Sequence, residues 1–268
     1  MKTILRAVNL TKHFGGLIAV DNVSLEVNAG EVIGLVGDNG AGKSTFIKMI
    51  SGVYQPDSGE IYFDDQKVTF ANPRNARDLG IETIYQDLAL AENLDVGANI
   101  FLGREIKRRY LGGLINTLDR HKMTNESTGA LQRLDIEIPS LFQQVRNLSG
   151  GQRQSVAIAR SIYWNARVMI MDEPTAALGV SEQRKVLGLV RTLADQGVPV
   201  IIISHNMQDV FAVADRIVIL RRGRKVGEEI AAKTQPDKIV SLMVGAEAVH
   251  EMGVIPKGLD SNGANAAT

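Results

Sequence analysis

The sequence predicts an α/β fold built on a parallel sheet, and three observations carry that prediction. Short apolar runs of strand length alternate with segments of helical spacing. The most distinctive polar residues fall at the C-terminal ends of those runs, the edge at which open parallel sheets bind ligands. One run passes directly into a glycine-rich loop that is followed by a helical pattern.

Taken in order, the first ~30 residues read as short antiparallel strands, as does the segment 59–63. Residues 32–36 form a buried strand that runs into the glycine-rich loop, and residues 45–50 form a helix. Residues 81–85 are a second core strand. The stretch 87–164 is poor in β-branched runs and richer in helical spacing, with amphipathic patterns over 123–134 and 152–163. It reads as a helical insert beside the sheet. Three further core strands follow at 168–171, 198–203 and 217–220. Residues 1–245 thus form one domain with its insert. Gly, Ala, Asn and Ser accumulate in 246–268, which reads as a poorly ordered tail.

Composition removes several classes. With Lys+Arg and Asp+Glu equal at 30 each, the chain lacks the overall basic balance usual in dedicated nucleic-acid binders. Zero cysteines exclude disulfides and thiolate metal sites. The first ten residues lack the apolar core of a signal peptide. No apolar run approaches the ~20 residues of a membrane helix, so a membrane role has to pass through a partner.

The loop comprises Gly37, Asp38, Asn39, Gly40, Ala41, Gly42, Lys43 and Ser44, with Thr45 opening the helix. It fits G-x-x-x-x-G-K-[ST] in the strand–loop–helix setting the motif requires. Glycines let backbone N–H groups close around phosphate oxygens, and the helix N-terminus adds positive potential. Lys43 can reach the β- and γ-phosphates of ATP, and Ser44 can ligate Mg²⁺. The strand at 168–171 ends in Asp172 and Glu173. Asp172 is placed to hold Mg²⁺. Side-chain alternation along the strand turns Glu173 elsewhere, free to orient or deprotonate water.

Leu148, Ser149, Gly150, Gly151 and Gln152 precede an apolar helix. Ser149 and Gln152 have capping-box spacing, which alone would make this an ordinary helix start. Two glycines in the first turn weaken the helix by up to ~1 kcal/mol each and bare N–H groups for an anion. This LSGGQ run, the phosphate loop and the segment MDEPT at 171–175 together resemble the ATP-binding-cassette family over roughly residues 4–229. The resemblance implies a P-loop NTPase core of the cassette type, with an N-terminal antiparallel β-subdomain and an inserted α-helical subdomain.

It also implies roles. Two copies pair head to tail, so that Ser149, Gly150, Gly151 and Gln152 of one face the γ-phosphate held by the other. Gln86 matches a glutamine that contacts Mg²⁺ or the attacking water and senses the transport partner. Phe14, before Gly15 and Gly16, matches the aromatic that stacks on adenine, with Val20 lining the same base pocket. His205 matches a histidine that steadies the γ-phosphate and the water, while Glu173 serves as base. His13, His121 and His250 match nothing and read as surface residues. Two positions depart from the family pattern. Gly179 stands where an Asp is common at the end of the loop 176–179, which bears on coupling between the two ATP sites. Asn206 stands where Asp often follows the histidine.

The stretches 51–60, 84–87 and 99–105 resemble the bacterial monosaccharide-importer group, and the single cassette resembles its fructose-type members. That resemblance implies a peripheral subunit on the cytoplasmic face of the inner membrane. It serves separate permease subunits, docked near residues 86–109, and indirectly a periplasmic sugar-binding protein. The basic run Lys107, Arg108 and Arg109 reads as a solvated face. A branched-chain amino-acid importer ATPase and a soluble cassette module are the alternatives.

Overall fold

A computed structural model describes residues 2–110 and 115–245. The expected tail, 246–268, and His250 within it lie outside the described residues. The chain opens on two long strands, β1 (Thr3–Phe14) and β2 (Leu17–Asn28), joined by the turn at Gly15 and Gly16. These were expected to be short. Each runs to 12 residues because irregular points interrupt the alternation without ending the pairing. Asn9 and Asn22 take left-handed φ of 51° and 55°, and the β1–β2 register shifts around them. Hydroxyls fill the gaps: Asn9 N–H donates to Ser24 Oγ at 2.8 Å, and Asn22 N–H to Thr11 Oγ1 at 3.0 Å. With β4 (Ser58–Phe63) and β5 (Gln66–Val68) they form an antiparallel sheet in the order β2-β1-β4-β5.

The second sheet has six strands. They are β3 (Val32–Val36), β6 (Ile81–Ile84), β9 (Val168–Asp172), β10 (Val200–Ile203), β11 (Arg216–Arg221) and β12 (Arg224–Ile230). Their order is β12-β11-β3-β10-β9-β6, parallel except for β12. Alternation divides the core between the two faces. Ile33, Leu35, Ile170, Ile201 and Ile203 pack toward the antiparallel sheet and helix α1 (Lys43–Ile50). Val32, Met169, Met171, Val200 and Ile202 face the helices on the opposite side. Fully burying one such aliphatic side chain contributes about 1.5–3 kcal/mol.

The remaining helices are α2 (Pro73–Asp78), α3 (Val96–Ile100), α4 (Arg120–Arg133), α5 (Gly150–Tyr163), α6 (Val180–Asp195), α7 (Met207–Val213) and α8 (Pro236–Val244). The segment 87–164 carries α3, α4 and α5 as expected. It also carries a hairpin that the helical reading lacked: β7 (Lys107–Tyr110) pairs with β8 (Ile115–Leu118). The basic run thus lies on a strand, with Lys107 and Arg108 exposed. Phe101, Tyr163 and Trp164 pack edge to face, and Trp164 Nε1–H donates to the Ile100 carbonyl at 3.1 Å. This cluster fastens α3 to the end of α5.

Candidate nucleotide site

Four parallel strands deliver their C-terminal ends side by side. Ile203 of β10 pairs with Leu35 of β3 on one side and with Asp172 of β9 on the other, and β6 lies beyond β9. Gly37, Glu173, His205 and Gln86 leave the sheet just past this edge. The residues predicted from four separate stretches of sequence are gathered by strand order alone.

The phosphate loop turns back under tight geometric constraint. Gly37 and Gly42 have φ of 150° and 99°. A Cβ at Gly37 would lie 2.2 Å from the Leu220 carbonyl oxygen, and one at Gly42 2.5 Å from that of Ala19. Only glycine fits either place. Asp38, Asn39 and Gly40 are exposed at the rim, whereas Ala41 is buried. Lys43, Ser44 and Thr45 form the first turn of α1, whose N-cap Gly42 brings no side-chain cap. The first-turn N–H groups are thus left for a ligand. Lys43 Nζ donates across the loop to the carbonyls of Gly37 and Asp38. Burial lowers its pKa, against the charges of Glu173, Asp38 and Asp172.

Asp172 is half-buried. Desolvation, with Glu173 beside it, pushes its carboxyl above the usual range, and Lys43 and Lys48 oppose the shift. Glu173 does not continue the strand. It takes φ of 51°, and its N–H donates to the Ile203 carbonyl at 2.8 Å. A left-handed kink, rather than strand alternation, separates the two carboxylates. Glu173 Oε1 lies 2.9 Å from His205 Nδ1 and accepts the His205 backbone N–H at 3.1 Å. Its Oε2 accepts from Ser204 Oγ at 3.5 Å.

Gln86 is exposed past the end of β6 and lines a cavity of about 330 Å³ with Glu173, Gly150 and Leu178. Phe14 is 42% exposed at the tip of β1, its ring edge-on to Tyr54 at 5.3 Å. Val20 is fully buried, with Cγ2 3.4 Å from where a Cβ on Gly42 would stand. It reaches the site as support beneath the loop, not as an open wall. His13 and His121 are exposed, and His13 pairs with Asp57.

Leu148 is buried, and Ser149 caps α5 with both halves of the capping box formed: Gln152 N–H to Ser149 Oγ at 3.2 Å, Ser149 N–H to Gln152 Oε1 at 3.0 Å. The two glycines have a packing role that spacing did not show. A Cβ on Gly150 would meet Leu178 Cδ2 at 2.7 Å, and one on Gly151 would meet Glu182 Cβ at 3.0 Å. Ser149, Gly151 and Gln152 line a separate cavity of about 810 Å³ with Glu182 and Lys185. Gly179 is the N-cap of α6 and supplies no side-chain bond. Asn206, by contrast, caps α7 by accepting the Gln208 N–H at 3.0 Å.

Sequence reasoning missed two participants. Thr175 Oγ1 donates to Asp209 Oδ2 at 2.6 Å, both buried, tying the segment after Glu173 to α7. Glu182 lies against the start of α5. A threonine in a turn and an acid in a helix's first turn carry no local signal of such contacts.

Comparison with known proteins agrees with this geometry. The family described as ABC transporter matches residues 20–176. The xylose/arabinose import ATP-binding protein of Sulfolobus acidocaldarius is 48% identical over 243 residues, covering 91% of this chain and 94% of that protein. The fructose import ATP-binding protein of Rhizobium meliloti is 47% identical over 225 residues, covering 83% and 86%. Among solved structures, a nucleotide-free ATP-binding cassette from an ABC transporter superposes with a TM-score of 0.77 at 28% identity, covering 91% of this chain and 99% of that one. With the phosphate loop, the acidic strand end and the capped LSGGQ helix all in place, the chain belongs to the ABC transporter family of ATP-binding cassettes.

Proposed function

We propose that this chain is the ATP-hydrolysing subunit of an importer that drives monosaccharide uptake of the fructose, ribose or xylose type through separate membrane permease subunits. The observation that carries the reading is the likeness, at 47–48% identity over most of both chains, to two proteins named as sugar import ATP-binding proteins. The same reading assigns residues 1–245 to one nucleotide-binding domain with its insert at about 87–164.

ATP sits with its phosphates on residues 37–45 and its base against Phe14, while Val20 supports the loop from beneath. Mg²⁺ fits the residues present. Among the described residues no three His, Asp or Glu side chains cluster as a metal cage, which suits an ion held by few protein ligands and by phosphate oxygens. Ser44 and Asp172 would hold it, with Gln86 at its edge, and it supplies charge neutralisation on the β- and γ-phosphates. Asp172, a half-buried carboxyl strained by desolvation and by Glu173, gains from a cation there.

The chain's own groups do the rest. Glu173, held by His205 and Ser204, takes a proton from the attacking water. His205 keeps that carboxylate and the water in place, while Lys43 and the loop amides stabilise charge developing on the γ-phosphate. Ser149, Gly150, Gly151 and Gln152 complete the site on a second copy, in a head-to-tail dimer. A dimeric ATP-binding cassette, 25% identical, is among the solved structures it resembles, with a TM-score of 0.70.

A groove of about 420 Å³ lined by Glu82, Thr83 and Tyr85 suits a permease helix. Val53 and Leu102 expose apolar surface there, and Arg104 stacks over Trp164. No helix among the described residues is long and apolar enough to cross a membrane, which fits a peripheral subunit on the cytoplasmic face. A periplasmic sugar-binding protein would then be an indirect partner. Uptake of labelled fructose, ribose and xylose, in cells with and without this chain, tests the reading. Loss of uptake of one of them is expected. Unchanged uptake of all three, with leucine uptake lost, would assign the branched-chain amino-acid role instead.

A further inference from the structure

Two helices end on one carboxylate. Glu182 is the third residue of α6, whose N-cap is Gly179. From there its side chain reaches across to the start of α5, where it lies against Gly150 and Gly151 and lines one cavity with Ser149, Gly151 and Gln152. The approach is close. Its Cγ and Cδ lie 3.2 and 3.3 Å from where a Cβ on Gly151 would stand, and its Oε2 is 3.9 Å from that point on Gly150. The positive ends of α5 and α6 therefore converge on one negative group.

Resting on the reading that Ser149 and Gly151 face the partner copy's γ-phosphate, we infer that Glu182 is a positioning residue that occupies this anion seat in the unpaired subunit and must be displaced when the partner's ATP docks.

Donor arithmetic forces the exchange. Ser149 Oγ already accepts the Gln152 N–H, so its single proton is all it has to give an anion in this seat. Gly151 likewise has one amide proton. Neither can serve a carboxylate and a phosphate oxygen at full strength, and two anions in one seat repel. The Ser149 hydroxyl first, and then the Gly151 and Gly179 amides, also hold the Glu182 carboxyl below the ordinary range. The seat thus selects for negative charge.

The surroundings permit departure. Glu182 borders the cavity of about 810 Å³, and Lys185, one helical turn along, lines the same cavity and offers a new partner. The move has a mechanical consequence. Residues 176–179 lead directly into α6, Ala177 holds a left-handed φ of 59°, and Leu178 packs on Gly150. Release of Glu182 frees the start of α6 from α5. Arrival of the partner's nucleotide is thereby reported to the segment that follows Glu173.

The test uses the full chain carrying Glu173→Gln, so that bound ATP persists, and reads dimer formation by sedimentation as MgATP is raised. Adding Glu182→Gln keeps shape and one acceptor but removes the charge. It is expected to lower the ATP concentration at half-dimerisation at least threefold, with fluorescent-ATP affinity of the dilute monomer unchanged. Glu182→Asp keeps the charge in the first turn of α6 but is too short to reach the start of α5. It is expected to shift the midpoint the same way, and it decides the matter if the amide variant does not fold. A midpoint unchanged or raised in both variants overturns the proposal, because a mere helix cap predicts that sign. If the Glu173→Gln parent stays monomeric at saturating ATP, the trans-site reading itself has failed and Glu182 falls with it. A parent that dimerises, with both variants unmoved, sinks only Glu182.

Discussion

His205 Nδ1 stands 2.9 Å from Glu173 Oε1, and that same oxygen accepts the His205 backbone N–H. The acid at the end of β9 is therefore held by the end of β10, two strands paired in parallel. A left-handed kink at Glu173 makes the meeting possible.

Glu173→Gln removes the proposed base and keeps an oxygen facing the His205 ring and backbone N–H. ATP turnover should fall by about 10²–10⁴ while nucleotide affinity stays within about twofold. Phosphate release and equilibrium binding of a fluorescent ATP analogue check the two halves. Turnover within about threefold of the parent would remove Glu173 from the role of base.

His205→Ala takes away the ring but leaves the backbone N–H on Glu173. The loss in kcat should be roughly 10²-fold, the scale of one positioned donor, and smaller than for Glu173→Gln. Side-by-side kcat values at saturating ATP decide it. The reverse order would make the histidine, not the glutamate, the dominant group.

Gly42→Ala forces a Cβ against the Ala19 carbonyl at a φ of 99°. Strain of about 1–3 kcal/mol falls on the loop proposed to bind phosphate. ATP affinity should drop at least about tenfold. Gly40 also has positive φ but meets nothing within 4 Å, so Gly40→Ala should lose less. Calorimetric titration with ATP compares the two.

Thr175→Val keeps shape and deletes the buried donor to Asp209. A buried carboxylate left without its partner costs about 1–3 kcal/mol or more. Urea unfolding should show that loss, and the double change with Asp209→Leu should recover part of it.

Gly179→Ser meets open space at a negative φ and supplies the missing N-cap hydroxyl opposite Glu182. Together with a stiffer unfolded chain, this should add about 0.5–1 kcal/mol to stability. The urea midpoint should rise at an unchanged slope.

The sequence by itself determined the elements whose signal is local. The apolar run 32–36 with its glycine loop, the Ser149–Gln152 capping box and the strands ending at Asp172 and near His205 all sit where periodicity and spacing put them. Each of these depends on neighbours a few residues apart, which is the range over which propensity, capping and steric rules act. The strand order β3-β10-β9-β6 was decided only in three dimensions, and with it the meeting of Gln86, Glu173, His205 and the phosphate loop. The β7–β8 hairpin was hidden because charged, short strands carry little apolar alternation, and the full length of β1 and β2 because bulges at Asn9 and Asn22 break it. The packing of Glu182 on Gly151 and the bond of Thr175 to Asp209 span about thirty residues of chain in each case. Such contacts are fixed by which surfaces pack, and packing is a property of the folded whole.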